Sequence, residues 1–148
     1  ARLAAAAMSI QSVKGVEIGD GFTGAGRRGS VAHDEIVREG SLRRLTNRAG
    51  GIEGGMSNGE AIRIRLAFKP ISTVPRALRT IDTATGEPAT ALHQRSDVTA
   101  VVPGAVVAEA MASLVVAQAL IEKTGGDCAD QMRESLAAYL ASIPKARA

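Results

Sequence analysis

The sequence predicts an α+β fold, with antiparallel strands packed on a helical layer, and three observations lead there. Residues 62–68 alternate strictly: Ile62, Ile64, Leu66 and Phe68 face one way, Arg63, Arg65 and Ala67 the other, as in a strand with one buried face. A long apolar run over 103–123 reads as a helix. Helices and strands do not alternate in a βαβ rhythm, so the strands belong to antiparallel pairs. Size and composition permit this. The 148 residues, 45% hydrophobic and 22% charged, suffice for one domain with a core.

Each element follows from its own residues. Positions 2–12 are Ala-rich with Leu3 and Met8 as larger apolar anchors, which predicts a helix. Alternation over Val13–Ile18 predicts a short strand. The character then changes. Glycines crowd in at 19, 21, 24, 26 and 29, and the apolar period fades. Arginines at 27, 28, 38, 43, 44 and 48 face only Asp34, Glu35 and Glu39, so this segment holds the entire net charge of +3. A flexible loop over 21–45, poorly ordered without a ligand, is the expectation. A second glycine cluster, 50–59, leads into the 62–68 strand, which Lys69-Pro70 ends. Residues 78–83 and 89–93 flank Thr85-Gly86-Glu87-Pro88 and predict a hairpin. The long helix takes Pro103 into its first turn and stops at Gly125-Gly126. Asp127 is placed to cap a last helix that runs to about Ser142, before Pro144.

Several function classes are excluded by the same residues. Aromatics make up 2% of the chain and Trp is missing, which argues against base-stacking modules and nucleic-acid binding. Arginines close to glycine-rich backbone suit a phosphorylated small molecule better. The single cysteine, Cys128, forbids an internal disulfide or a thiolate metal cluster and suits a reducing, cytoplasmic setting. His33 and His93 have no partners at ligand spacing, so no metal is implied; His33 reads as solvated and His93 as a structural or rim residue. Residues 98–121 approach membrane-spanning length. Pro103-Gly104 interrupts them, however, and Glu109 at a bilayer centre would cost about 2.5–3.5 kcal/mol. The expectation is a helix buried in a protein core, not a membrane span. The chain opens in mid-helix at Ala1 without an initiator Met or a secretory pattern, and so reads as cut from something longer. Gly19-Asp20-Gly21-Phe22-Thr23-Gly24 is a literal G-x-G-x-x-G. Asp20 would repel a phosphate there and no helix pattern follows, so it reads as a flexible glycine loop rather than a dinucleotide fingerprint.

Three stretches, taken in order, are more specific. They are Ser9-Ile10-Gln11-Ser12-Val13-Lys14-Gly15-Val16-Glu17-Ile18-Gly19; the run from Thr46-Asn47-Arg48-Ala49-Gly50-Gly51 to Asn58-Gly59, with Lys69-Pro70-Ile71-Ser72-Thr73 downstream; and Arg95-Ser96-Asp97, followed by Val102-Pro103 and Glu109-Ala110-Met111. Together they resemble the C-terminal half of chorismate synthases over nearly the whole chain. One departure is visible: many members carry Arg-His-Asp-Pro-Cys where this chain has Arg95-Ser96-Asp97-Val98-Thr99.

The resemblance implies a β-α-β sandwich, a homotetramer and a 1,4-anti elimination that converts 5-enolpyruvylshikimate 3-phosphate to chorismate and phosphate. It implies reduced FMN as cofactor without net redox change, with NADPH as one source of electrons for the flavin. By motif, Gln11, Ser12, Gly54, Lys69, Pro70, Ile71, Ser72, Thr73 and Arg95 would contact FMN. Arg95 would also meet substrate, and Asp97 would lie near the reactive ring nitrogen, ionised and able to assist proton removal. The family's two functional histidines belong to N-terminal motifs that do not occur here, and neither His33 nor His93 matches them. The implied picture is an incomplete enzyme whose partner is its own N-terminal half. The alternative is a non-catalytic ligand-binding or assembly module of the same fold.

Overall fold

A computed structural model of the chain describes residues 1–92 and 97–143. Its elements are α1 (Arg2–Met8), β1 (Val13–Ile18), α2 (Gly21–Ala25), a 3-10 turn at Gly29–Val31, β2 (Ile36–Glu39), β3 (Ser41–Arg44), β4 (Ile52–Glu53), β5 (Met56–Ser57), β6 (Ile64–Phe68), β7 (Arg79–Ile81), β8 (Pro88–Thr90), α3 (Val101–Thr124) and α4 (Ala129–Ser142). The class is α+β. Among the described residues the strands form four two-stranded antiparallel sheets: β1 with β6, β2 with β3, β4 with β5, and β7 with β8.

The β1–β6 ladder is the spine. Val13 pairs with Phe68, and a bulge at Lys14 resets the register so that Gly15 faces Ala67 and Ile18 faces Ile64. The predicted alternation of β6 is seen directly, with Ile64, Leu66 and Phe68 half-buried and Arg65 and Ala67 exposed. Two helices cover that apolar face. Leu3 and Ala7 of α1 share a small hollow with Ile64, Leu66 and the Ala108 and Ala112 side of α3. The two helices run antiparallel, with Arg2 paired to Glu122 at 2.5 Å. Ala7 and Val13 are the buried apolar residues among those described. Phe68 lies over Gly104, where a Cβ would come within 2.5 Å of the ring, so this glycine sets how closely α3 approaches the strand.

At the other end of the ladder three backbone segments cross. Gly19 and Gly50 both have positive φ, 61° and 62°. A Cβ on Gly19 would lie 2.2 Å from the Arg48 carbonyl oxygen, and one on Gly50 would lie 2.3 Å from the Gly19 nitrogen. Backbone hydrogen bonds fill the crossing: Gly19 N–H to the Arg63 carbonyl at 2.9 Å, Asp20 N–H to Arg48 at 2.8 Å and Arg63 N–H to Gly50 at 3.1 Å. No side chain fits there.

Three expectations change. The 21–45 stretch, read as a loop, contains α2, the 3-10 turn and the β2–β3 hairpin. Its base is tied by buried Asp34, whose carboxylate accepts from the Thr46 hydroxyl, from Arg48 N–H at 2.7 Å and from Ala49 N–H at 2.9 Å. In return the Arg48 guanidinium donates to the carbonyls of Val31 at 2.5 Å and His33 at 3.1 Å. These are long-range contacts between polar residues, which apolar periodicity does not reveal. Likewise, α2 starts at once after β1, but its Phe22 N–H donates to the Glu17 carboxylate at 2.7 Å, so a neighbouring acid occupies the place of an anion.

The second change concerns α3, which was expected in the core. None of its residues is buried, and Val102, Val106 and Leu114 are 71%, 66% and 65% exposed. It is long and apolar enough to cross a membrane, with a mean hydropathy of 1.9, yet one flank packs on α1 and β6 and its end packs on α4. A helix apolar all round needs neighbours on every side, and these elements cover one flank. Third, Cys128 rather than Asp127 occupies the N-cap of α4; Asp127 N–H instead donates to Gln131 Oε1 at 2.7 Å. The predicted 78–93 hairpin forms as β7–β8, while His93 and Pro144 lie outside the described residues.

Two predictions follow from this geometry. Gly50→Ala drives a Cβ into backbone that cannot yield and lowers stability by more than about 3 kcal/mol, whereas Gly54→Ala, at φ 56° with nothing within 4 Å, costs about 1 kcal/mol; urea unfolding of both variants measures the contrast. The second concerns acid. Burial pushes the Asp34 pKa up, but the Ala49, Thr46 and Arg48 hydrogen bonds and the Arg48 charge outweigh it and hold it below its ordinary 3.8. A lowered folded pKa means stability that is present above the ordinary value and lost as pH falls through the folded one. The stability difference between the parent chain and Asp34→Asn is therefore full at neutral pH and shrinks as the pH drops below 3.8, which urea midpoints across an acid series read out.

Candidate active-site cleft

The opposite end of the β1–β6 ladder opens into a cleft of about 540 Å3. That volume suits a small-molecule ligand. One wall is the chain leaving β6, from Phe68 through Lys69, Pro70 and Ile71 to Thr73. The other is the segment entering α3, from Asp97 to Val101. Segments far apart in sequence thus meet because Phe68 rests on Gly104 and carries the end of β6 to the start of α3.

Ser12 joins the first wall from behind. Its carbonyl accepts the Lys69 N–H at 2.8 Å, and its φ of 72° makes it the non-glycine residue with positive φ among those described. Such a backbone costs of the order of 1–3 kcal/mol and persists where the surroundings enforce it. The bulge just beyond, at Lys14, is part of the same distortion.

The chemistry of the lining is mixed in a useful way. Lys69 brings a cation and Thr73 a hydroxyl donor, and the N-terminus of the 24-residue α3 brings the positive end of a helix dipole. Phe68, Pro70, Ile71 and Val98 supply flat apolar surface. Asp97 adds a carboxylate on the second wall. This set offers apolar surface, a cation and a hydroxyl donor on one wall and a carboxylate on the other, which suits a small anionic ligand with an apolar part.

Of the residues singled out in the sequence, Lys69, Pro70, Ile71, Thr73 and Asp97 line this one cleft. Ser72 opens onto an adjoining hollow of about 140 Å3 that shares Thr73 and Val74. Gln11 is exposed in the turn before Ser12. Gly54 sits apart, at the tip between β4 and β5, and does not line the cleft. Arg95 lies outside the described residues. Residues 98–101 were missed as wall residues, although the helix-start pattern at Val102-Pro103 is the signal that could have found them.

The basic segment plays a different part from the one its composition suggests. Arg27 and Arg63 both pair with Asp20, Arg43 with Glu39 and Arg44 with Glu53. Asp20 is held below its ordinary pKa, first by the Arg27 hydrogen bond and then, against a burial cost, by Arg63. These arginines serve internal pairs, and none of them lines the cleft. No group of three or more metal-binding side chains occurs among the described residues.

Known proteins share this sequence and architecture. A family model for chorismate synthase matches residues 1–121. The chorismate synthase of Beutenbergia cavernae is 65% identical over 146 residues, covering 97% of this chain and 37% of that protein. The one from Paenarthrobacter aurescens is 64% identical, over 97% of this chain and 36% of its own length. A crystal structure of a chorismate synthase superposes with a TM-score of 0.75 at 40% identity, over 96% of this chain and 36% of that one. The chain therefore spans a little over a third of the length of these relatives. With a family model matching most of its length, and with the helix-and-ladder architecture shared by a solved member, the chain belongs to the chorismate synthase family.

Proposed function

We propose that this chain is the C-terminal part of a cytoplasmic chorismate synthase of the shikimate pathway, a lyase that converts 5-enolpyruvylshikimate 3-phosphate to chorismate and phosphate with reduced FMN. The convergence of Lys69, Thr73 and Asp97 on one cleft carries the reading. Reduced FMN, when bound, supplies the chemistry by which phosphate and a ring proton leave without net oxidation; NADPH is one source of its electrons.

The protein's own part is binding, orientation and charge. Lys69 Nζ and the α3 N-terminus attract the anionic tail, and the Thr73 and Ser72 hydroxyls donate to its oxygens. The apolar walls give the ligand's apolar part a surface to pack against. Asp97 holds a fixed negative charge on the far wall and is the group to accept or relay a proton there. Arg95, two positions before it, is proposed to hold the anionic substrate. Gln11 would add a contact to FMN from the turn before Ser12, whereas a Gly54 contact would be made outside this cleft, which its tip does not line. The remaining length of the relatives would bring the acid–base histidines and cover the exposed flank of α3, in a homotetramer.

Two experiments test this. The 148-residue chain alone, given reduced FMN and substrate, releases no phosphate, because histidine acid–base groups contribute about 10²–10⁴-fold each; turnover near that of a full-length relative would show that the catalytic groups are misassigned. In a full-length enzyme carrying this sequence, Asp97→Asn keeps FMN affinity while kcat falls by about 10²-fold, and Lys69→Met weakens FMN binding by about tenfold or more. FMN titration beside steady-state phosphate release separates the two, and normal turnover in Asp97→Asn removes Asp97 from catalysis.

A further inference from the structure

Phe68 and Gly104 stand where the two walls of the cleft begin. Phe68 is half-buried, ends β6 and lines the cleft, and the next residue is Lys69, whose N–H is fixed on the Ser12 carbonyl at 2.8 Å. Gly104 lies in the first turn of α3, and its N–H donates at 2.9 Å to the carbonyl of Ala100, a residue of the second wall. Within that wall Val101 N–H donates to the Thr99 hydroxyl oxygen at 3.2 Å, so the wall and the helix start form one piece. Strand end and helix start meet at the Phe68 ring. A Cβ on Gly104 would come to 2.5 Å from its Cε1 and Cζ atoms and 3.3 Å from Cδ1. Farther along, α3 is held on α1, where Arg2 pairs with Glu122 at 2.5 Å.

We propose that Gly104 is a positioning residue for the cleft: acting through the Phe68 ring, it sets the distance between the two walls and so the fit of the ligand. The inference rests on the reading of this cleft as the FMN site and adds to it the contact that spaces the walls. The bare Cα at 104 lets the helix start close onto the ring, and the ring stops it from closing further. Packed contacts of this kind transmit a displacement instead of absorbing it. With a Cβ at 104, either the ring swings away or the helix start moves out. Both change the cleft, since the ring belongs to one wall and residues 97–101 form the other. A ligand that bridges the walls must then draw them back into place, which lowers its affinity.

The test uses a full-length enzyme carrying this sequence, with Gly104→Ala, Phe68→Leu and the two combined. Ala is the better helix former, so Gly104→Ala does not weaken α3 itself. Leu ends at its Cδ atoms and lacks the Cε1 and Cζ that a Cβ at 104 would meet. Alone it leaves slack, and together with Gly104→Ala it restores the fit. FMN affinity is read by flavin fluorescence and stability by thermal melting. The expected result is an FMN Kd raised about tenfold in Gly104→Ala and about threefold in Phe68→Leu, with the double variant within about twofold of the parent. A merely structural contact would shift the melting temperatures and leave the Kd of the folded molecules unchanged, and that result overturns the proposal. So does a double variant that binds no better than the weaker single one. If Gly104→Ala alone does not fold, Phe68→Leu and the double variant decide, because the added Cβ must then tighten binding relative to Phe68→Leu. Lys69→Met separates this inference from the flavin reading. FMN affinity that survives Lys69→Met shows that FMN is not held in this cleft and defeats both; loss of affinity there, with parental binding in the spacer variants, defeats the inference and leaves the flavin reading standing.

Discussion

Where Gly19 and Gly50 cross, two backbones approach so closely that no residue with a Cβ fits at either position. The rest of the structure depends on this contact. It fixes the end of β1, and through Arg63 the entry into β6, so the ladder between them can form in one register. It also fixes the root of the glycine-rich run from which the β4–β5 hairpin projects. The cleft lies at the far end of the same ladder, where Ser12 binds Lys69 and Phe68 meets Gly104. One short pair of strands therefore joins a structural crossing at one end to the candidate site at the other.

Charge is divided along the same line. The arginines of 21–48 give the chain its net +3, yet Arg27, Arg43 and Arg44 pair with nearby acids and Arg48 binds carbonyls. Exposed pairs of this kind contribute little each. Their combined effect is to tie polar, glycine-rich backbone that has no apolar stripe to hold it. Among the described residues the cation that lines the cleft is Lys69, which comes from the end of a strand and not from the basic segment. Positive charge in the composition and positive charge at the site are different residues.

The long helix α3 connects these observations to the scale of the family. Its N-terminus forms a wall of the cleft, its middle packs on α1 and β6, and the rest of its apolar surface faces outward. An apolar surface of this extent marks an interaction surface. Relatives nearly three times as long as this chain have the material to cover it.

How much of this could be read without coordinates depended on the kind of force involved. The β1 and β6 strands were legible from their alternation, α1 from its Ala-rich run and α3 from a long apolar run that ends at Gly125-Gly126, and all of these are local properties of sequence. The β7–β8 hairpin was legible from turn chemistry at Thr85-Gly86-Glu87-Pro88. Lys69 to Thr73 and Asp97 were legible as candidate site residues from the resemblance, since motif identity survives without geometry. The tertiary structure decided what those residues do together. It placed Lys69, Thr73 and Asp97 in one cleft, through a Phe68–Gly104 contact that no spacing announces. It turned the 21–45 segment from an expected loop into a clamped hairpin, through Asp34 and Arg48, whose partners lie 12 or more residues away. It left α3 exposed where its composition had suggested a core. The physical reason is the same each time: periodicity and turn residues act between neighbours in the chain, whereas burial, carboxylate clamps and close backbone approach are set by which distant segments meet.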